Sequence, residues 1–73
     1  MPLREIKSEI TGSLWKLVKA PGDAVTEDEP IMVLESMKME IPVVADAAGT
    51  VKELRVKEGD PVSEGQVVAV IET

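Results

Sequence analysis

The chain has 73 residues with no cysteine and no histidine, and its 14 acidic against 8 basic side chains leave a formal charge of −6. That length holds one domain around one core; without thiol or imidazole there is no disulfide framework, zinc finger, or Cys or His nucleophile, and an acidic chain whose only aromatic residue is Trp15 is a poor nucleic-acid binder. No segment approaches the roughly 18 apolar residues that cross a bilayer, and Met1-Pro2-Leu3-Arg4-Glu5 lacks the regions of a secretory signal, so a soluble, cytoplasmic protein, monomeric in isolation, is expected.

In chain order, the apolar residues come as short, largely β-branched runs. Leu14 to Val18 is of strand length, and Ala20-Pro21-Gly22-Asp23 after it is a turn, with glycine supplying positive φ and proline removing a ladder donor. Ile31 to Leu34 is a second strand. Val51 to Val56 partly alternates, Lys57-Glu58-Gly59-Asp60-Pro61 is another turn, and Val67 to Ile71 is a continuous run that fits a strand buried on both faces. No stretch has the length and 3.6-residue period of a helix. An all-β domain of about eight short strands follows.

These elements repeat. Shifting the sequence so that Gly12 falls on Gly49, an offset of 37, also aligns Leu17 with Leu54, Gly22-Asp23 with Gly59-Asp60, and Val25 with Val62. The register runs on without a gap to Val33 on Val70, Leu34 on Ile71 and Glu35 on Glu72. The single domain, residues 1–73, therefore reads as two copies, about 12–36 and 49–73, that pair face to face about an approximate two-fold axis and share one core. Gly65 of the second copy is matched by Asp28 in the first. Asp tolerates the left-handed conformation better than most residues, so the same turn is expected in both.

The junction of the copies is the segment Val33 to Val44, with Glu35-Ser36-Met37-Lys38-Met39-Glu40 at its centre. The repeat offset carries Lys38 onto the chain termini, so Lys38 is expected on an exposed tip at the opposite end of the molecule from them. The alternation of Met37 and Met39 with Ser36, Lys38 and Glu40 argues against deep burial of them all. The junction has no Asn-Gly or Asp-Gly turn signal. If Met37 and Lys38 nevertheless adopt left-handed turn positions, each costs roughly 1 to 2 kcal/mol, a strain that makes sense at a functional site.

The hexapeptide Glu35 to Glu40, with Met37-Lys38-Met39 at its centre, closely resembles the biotin-attachment motif of the biotin carboxyl carrier family. Val18 to Val25 with Pro21-Gly22-Asp23, Ala48-Gly49-Thr50-Val51, and Glu58-Gly59-Asp60 through Gly65 also fall where that family has its turns and strands. The resemblance thus covers nearly the whole chain.

It implies a flattened β-barrel, a barrel-sandwich hybrid of two quasi-symmetric four-stranded sheets, with the modified lysine on a hairpin tip. It implies a non-catalytic carrier on which biotin protein ligase joins biotin covalently to Lys38. The biotin would then move a carboxyl group from a biotin carboxylase to a carboxyltransferase of an acyl-CoA type carboxylase. Met37 and Met39 would flank the lysine for recognition, with Glu35, Ser36 and Glu40 more weakly constrained. Three positions depart from the family pattern: Glu9 and Asp46 stand where prolines are common, and Asp28 where glycine is. The short Val25 to Ile31 segment leaves no room for the protruding thumb of some carriers.

The nearest rival is a lipoyl-type carrier domain, which shares the fold and modifies a hairpin lysine, usually with Asp before it and Ala after it. Met37 and Met39 hold those places here, and a glycine-cleavage carrier lacks its extra segments. Glu35 and Glu40 as a catalytic acid and base rank low, because such pairs need a cleft that desolvates one carboxyl. A purely structural adaptor would be indifferent to Lys38→Arg.

Overall fold

The computed structural model describes residues 2–73. The eight strands are β1 (Leu3–Lys7), β2 (Gly12–Leu17), β3 (Ala24–Val25), β4 (Pro30–Ser36), β5 (Met39–Val44), β6 (Gly49–Leu54), β7 (Pro61–Val62) and β8 (Val67–Glu72), and no helix occurs among the described residues. They form two antiparallel four-stranded sheets, β1-β8-β6-β3 and β5-β4-β2-β7. The chain passes from one sheet to the other repeatedly, so neither sheet is a continuous piece of sequence. No strand pairing joins the sheets to each other among the described residues. The result is a flattened sandwich, not a closed barrel.

The offset of 37 carries each sheet onto the other, β1 onto β5, β2 onto β6, β3 onto β7 and β4 onto β8. It also maps the core onto itself. Ile6, Leu14, Val25, Ile31 and Leu34 correspond to Val43, Val51, Val62, Val68 and Ile71, and all are buried in one cluster. Met32 has the smaller Ala69 as its counterpart, and both are fully enclosed. Aliphatic residues of this size let two short-stranded sheets approach without an aromatic spacer, and their burial, about 25 cal/mol per Å² of apolar surface, is what holds the fold.

The turns owe their shape to side chains that both copies keep. The Asp23 carboxylate accepts the Ala20 N–H at 2.9 Å, and the Asp60 carboxylate accepts the Lys57 N–H at 2.9 Å. Gly22 and Gly59 beside them have φ of 96° and 94°. In the next turn Glu29 Oε1 accepts from Thr26 N–H, and Gln66 Oε1 from Ser63 N–H, each at 2.9 Å. Asp28 has φ 69° where Gly65 has φ 84°, so the left-handed turn persists through the substitution. Val68 to Ile71 in β8 is buried on both faces, as the continuous apolar run requires.

Candidate functional site

Strands β4 and β5 form a hairpin in which Leu34 pairs with Ile41, Glu35 with Glu40 and Ser36 with Met39. Only Met37 and Lys38 remain for the turn, with φ of 51° and 67°. Two consecutive positive φ values are what a type I′ turn demands, and that turn matches the right-handed twist of its strands. Neither residue is glycine, asparagine or aspartate, so the conformation carries the strain expected of left-handed side-chain-bearing residues. Met37 is 93% exposed, Met39 62%, and Lys38 is exposed between them.

The tip is held from below. The Ser36 hydroxyl donates to the Thr11 carbonyl at 3.1 Å, and Thr11 Oγ1 accepts the Glu64 N–H at 3.1 Å. Gly12 runs directly beneath β4: a Cβ there would lie 2.5 Å from the Glu35 carbonyl oxygen and 3.2 Å from Ser36 Cβ. This supporting role of Thr11 and Gly12 has no motif of its own. Its one trace in the sequence is that both copies keep a glycine at this place, since Gly49 lies equally tight against Glu72 and Thr73.

The pseudo-two-fold relation places Ser36 on Thr73 and Met39 on Pro2. Thr73 N–H indeed donates to the Pro2 carbonyl at 3.0 Å, closing the β1–β8 pair where β4–β5 is closed by the turn. The molecule is 36 × 18 × 18 Å in extent, and the offset of 37 relates the Met37–Lys38 end of the β4–β5 hairpin to the Pro2–Thr73 end of the β1–β8 pair.

Glu35 and Glu40 lie directly opposite each other, both exposed, and neither has an ion-pair partner among the described residues. A shallow groove along the free edge of β5, lined among others by Ile10, Leu34 and Ile41 to Val44, contains neither carboxylate. The pair therefore sits on an exposed face outside that groove.

Of the three departures from the carrier pattern, Asp46 acquires a partner. It binds Arg4 of β1 through two hydrogen bonds of 3.0 Å, tying the first strand to the β5–β6 loop, and these bonds hold its carboxyl below the usual range. Glu29 is held low as well, chiefly by the Lys19 ammonium at 3.0 Å and then by the Thr26 N–H.

A family model described as "Biotin-requiring enzyme" matches residues 4–71. The chain is 48% identical over 63 residues to the biotin/lipoyl attachment protein of Bacillus subtilis, a match covering 86% of each. Its fold superposes with a TM-score of 0.94 on part of the Kluyveromyces lactis urea carboxylase, at 39% identity over 99% of this chain but 6% of that one. The lipoyl domain of the Azotobacter vinelandii 2-oxoglutarate dehydrogenase complex aligns with a TM-score of 0.72 and 33% identity, over 86% of this chain and 80% of the domain. With its hairpin lysine, two-fold sandwich and these likenesses, the chain belongs to the family of biotin and lipoyl attachment domains.

Proposed function

We propose that this domain is a biotin carboxyl carrier, biotinylated on Lys38 by biotin protein ligase and serving the biotin carboxylase and carboxyltransferase of a biotin-dependent carboxylase. The observation that carries the reading is the two-residue turn that presents Lys38 between the exposed Met37 and Met39. An attachment site must offer its amine to a second protein's active site, and nothing on the tip stands in the way. The unbranched methionines on either side add apolar, pliable surface without competing charge. The lysine amine attacks the carboxyl carbon of the adenylated biotin; the C–N amide bond forms, the bond to AMP breaks, and the nitrogen gives up its proton.

When attached, biotin supplies a ring nitrogen that carries a carboxyl group between two active sites. The chain's own contribution is to hold the attachment point on a rigid hairpin while the rest of the domain stays small enough to swing. Tethering replaces an encounter between free molecules by a local search at high effective concentration.

Lipoyl attachment is the second reading, favoured by the likeness to the Azotobacter vinelandii lipoyl domain and to the Bacillus subtilis biotin/lipoyl attachment protein. Against it stand the residues beside the lysine. Intact mass after co-expression with a biotin protein ligase and biotin, beside the Lys38→Arg variant, separates the two. A gain of one biotinyl group in the parent alone supports the proposal. No gain in a folded parent removes it and leaves lipoylation to be assayed in the same way.

A further inference from the structure

The two sheets are related by the offset of 37, yet their outer faces differ in kind. On the β1-β8-β6-β3 sheet, Glu5 faces Val70, which faces Glu53. Arg55 reaches Glu53 at 3.3 Å and Glu5 at 3.9 Å. Val70 lies beneath this network, only 4% exposed although it is not part of the central core cluster. That face is closed by its own side chains.

On the other sheet the same row reads Pro42, Val33, Lys16. The position of Arg55 is taken by Val18, 46% exposed, and that of Lys52 by Trp15, 50% exposed. Trp15 occupies the β-bulge between Leu14 and Lys16, which turns it out of the core. With no ion-paired side chains across it, Val33 stays partly open. The only aromatic residue of the chain thus lies exposed on a largely apolar face beside Lys16, with no ion-paired network over it among the described residues. Exposed tryptophan in such a setting is characteristic of binding surfaces.

From this asymmetry we infer that the outer face of the β5-β4-β2-β7 sheet, centred on Trp15 and Val18, is the docking surface for the ligase that modifies Lys38. The inference rests on the attachment reading above and names how the enzyme is recognised. Three observations select this occupant. The patch shares its strands with the tip, because Lys16 pairs with Val33 and Val33 with Pro42 on the same β4–β5 hairpin whose turn carries Lys38. Between patch and tip stand Glu35 and Glu40, an unneutralised cross-strand pair that is unfavourable alone and complementary to a basic rim. Finally, the unmodified lysine is short, so the enzyme that acts on it must press against the tip and adjoining sheet, whereas a loaded arm reaches later active sites from further away.

The test exchanges one face for the other. The Trp15→Lys/Val18→Arg variant imports the residues that occupy the corresponding places on the charged sheet, and Lys52→Glu on that sheet is the control. Steady-state modification of the whole domain is measured with a biotin protein ligase and with a lipoate ligase, after circular dichroism and thermal melting confirm folding. With whichever ligase modifies the parent at Lys38, KM is expected to rise at least about tenfold in the double variant while kcat stays within about twofold. The control keeps both values. If the double variant does not fold, Pro42→Glu, at an exposed edge-strand site, is used with the same expected split. An unchanged KM, or a loss confined to kcat, in a parent that is modified overturns the docking surface alone. A parent modified by neither ligase overturns both this inference and the attachment reading.

Discussion

Gly12 supports Glu35 by having no side chain: the β2 backbone passes so close that a Cβ would sit 2.5 Å from the Glu35 carbonyl oxygen. The neighbouring backbone cannot yield without moving the hairpin. Gly12→Ala is expected to cost about 1 to 3 kcal/mol, as overpacking does. Gly49→Ala meets the equivalent backbone at the terminal end and should cost about the same. Only Gly12→Ala should also slow modification of Lys38 at a temperature where both variants are folded. Equal rates in the two variants would show that β2 does not position the tip.

Met37 and Lys38 hold a strained turn that a different dipeptide would hold without strain. Replacing Met37→Asn and Lys38→Gly gives the sequence that type I′ turns prefer. The double variant is expected to gain about 1 to 2 kcal/mol, a rise in Tm of roughly 5 to 15 °C for a domain of this size. It should take up no biotin or lipoate. A melting temperature equal to or below that of the parent would mean that the turn stores no strain.

Much of this architecture is legible in the sequence because the two copies repeat the same turn chemistry. Gly22-Asp23 and Gly59-Asp60 mark turns whose carboxylates bind backbone N–H groups in the same way, and the apolar positions fall into matched core pairs. What the sequence concealed depends on the third dimension. The run Leu14 to Val18 reads as one apolar strand, but a bulge at Trp15 sends that side chain and Val18 outward while Leu14 stays buried. Asp46 reads as a departure from a proline pattern, and only the fold brings it to Arg4 on a strand 42 residues away. Strand β5 contains Pro42, a weak strand signal that is tolerated because β5 is an edge. The hairpin turn lacks the usual turn residues, so only the strand register and the positive φ of Met37 and Lys38 reveal it.

Asp28 and Gly65 occupy the same turn with φ of 69° and 84°, and a Cβ at Gly65 would meet nothing within 4 Å. Any cost of a side chain there is therefore conformational, not steric against neighbours. Gly65→Ala is expected to destabilise by about 1 kcal/mol. Gly65→Asp, which copies the first repeat, should cost less, since Asp visits the left-handed region more readily. Urea midpoints of the two variants rank the costs, and an alanine variant as stable as the aspartate one would contradict this account.

The ion pairs of Asp46 with Arg4 and of Glu29 with Lys19 make stability depend on acid pH in a defined direction. Both carboxyls are held below their ordinary range in the folded protein, each first by the hydrogen bond from its basic partner. A depressed native pKa stabilises fully above the unfolded value, near pH 4, and that contribution is lost as pH falls through the native value. Asp46→Asn should therefore unfold at lower urea than the parent at pH 7, with the gap narrowing as pH falls below about 4 toward the depressed native value. Glu29→Gln is the sharper case, because Gln66 shows that a glutamine at the equivalent place still accepts the backbone N–H. It removes the charge and keeps the turn. Its midpoint should fall only slightly at pH 7, as befits a solvent-accessible pair, and added salt should shrink the difference. A deficit that did not narrow at all as pH falls below about 4 would place the effect in the turn geometry and not in the Lys19 pair.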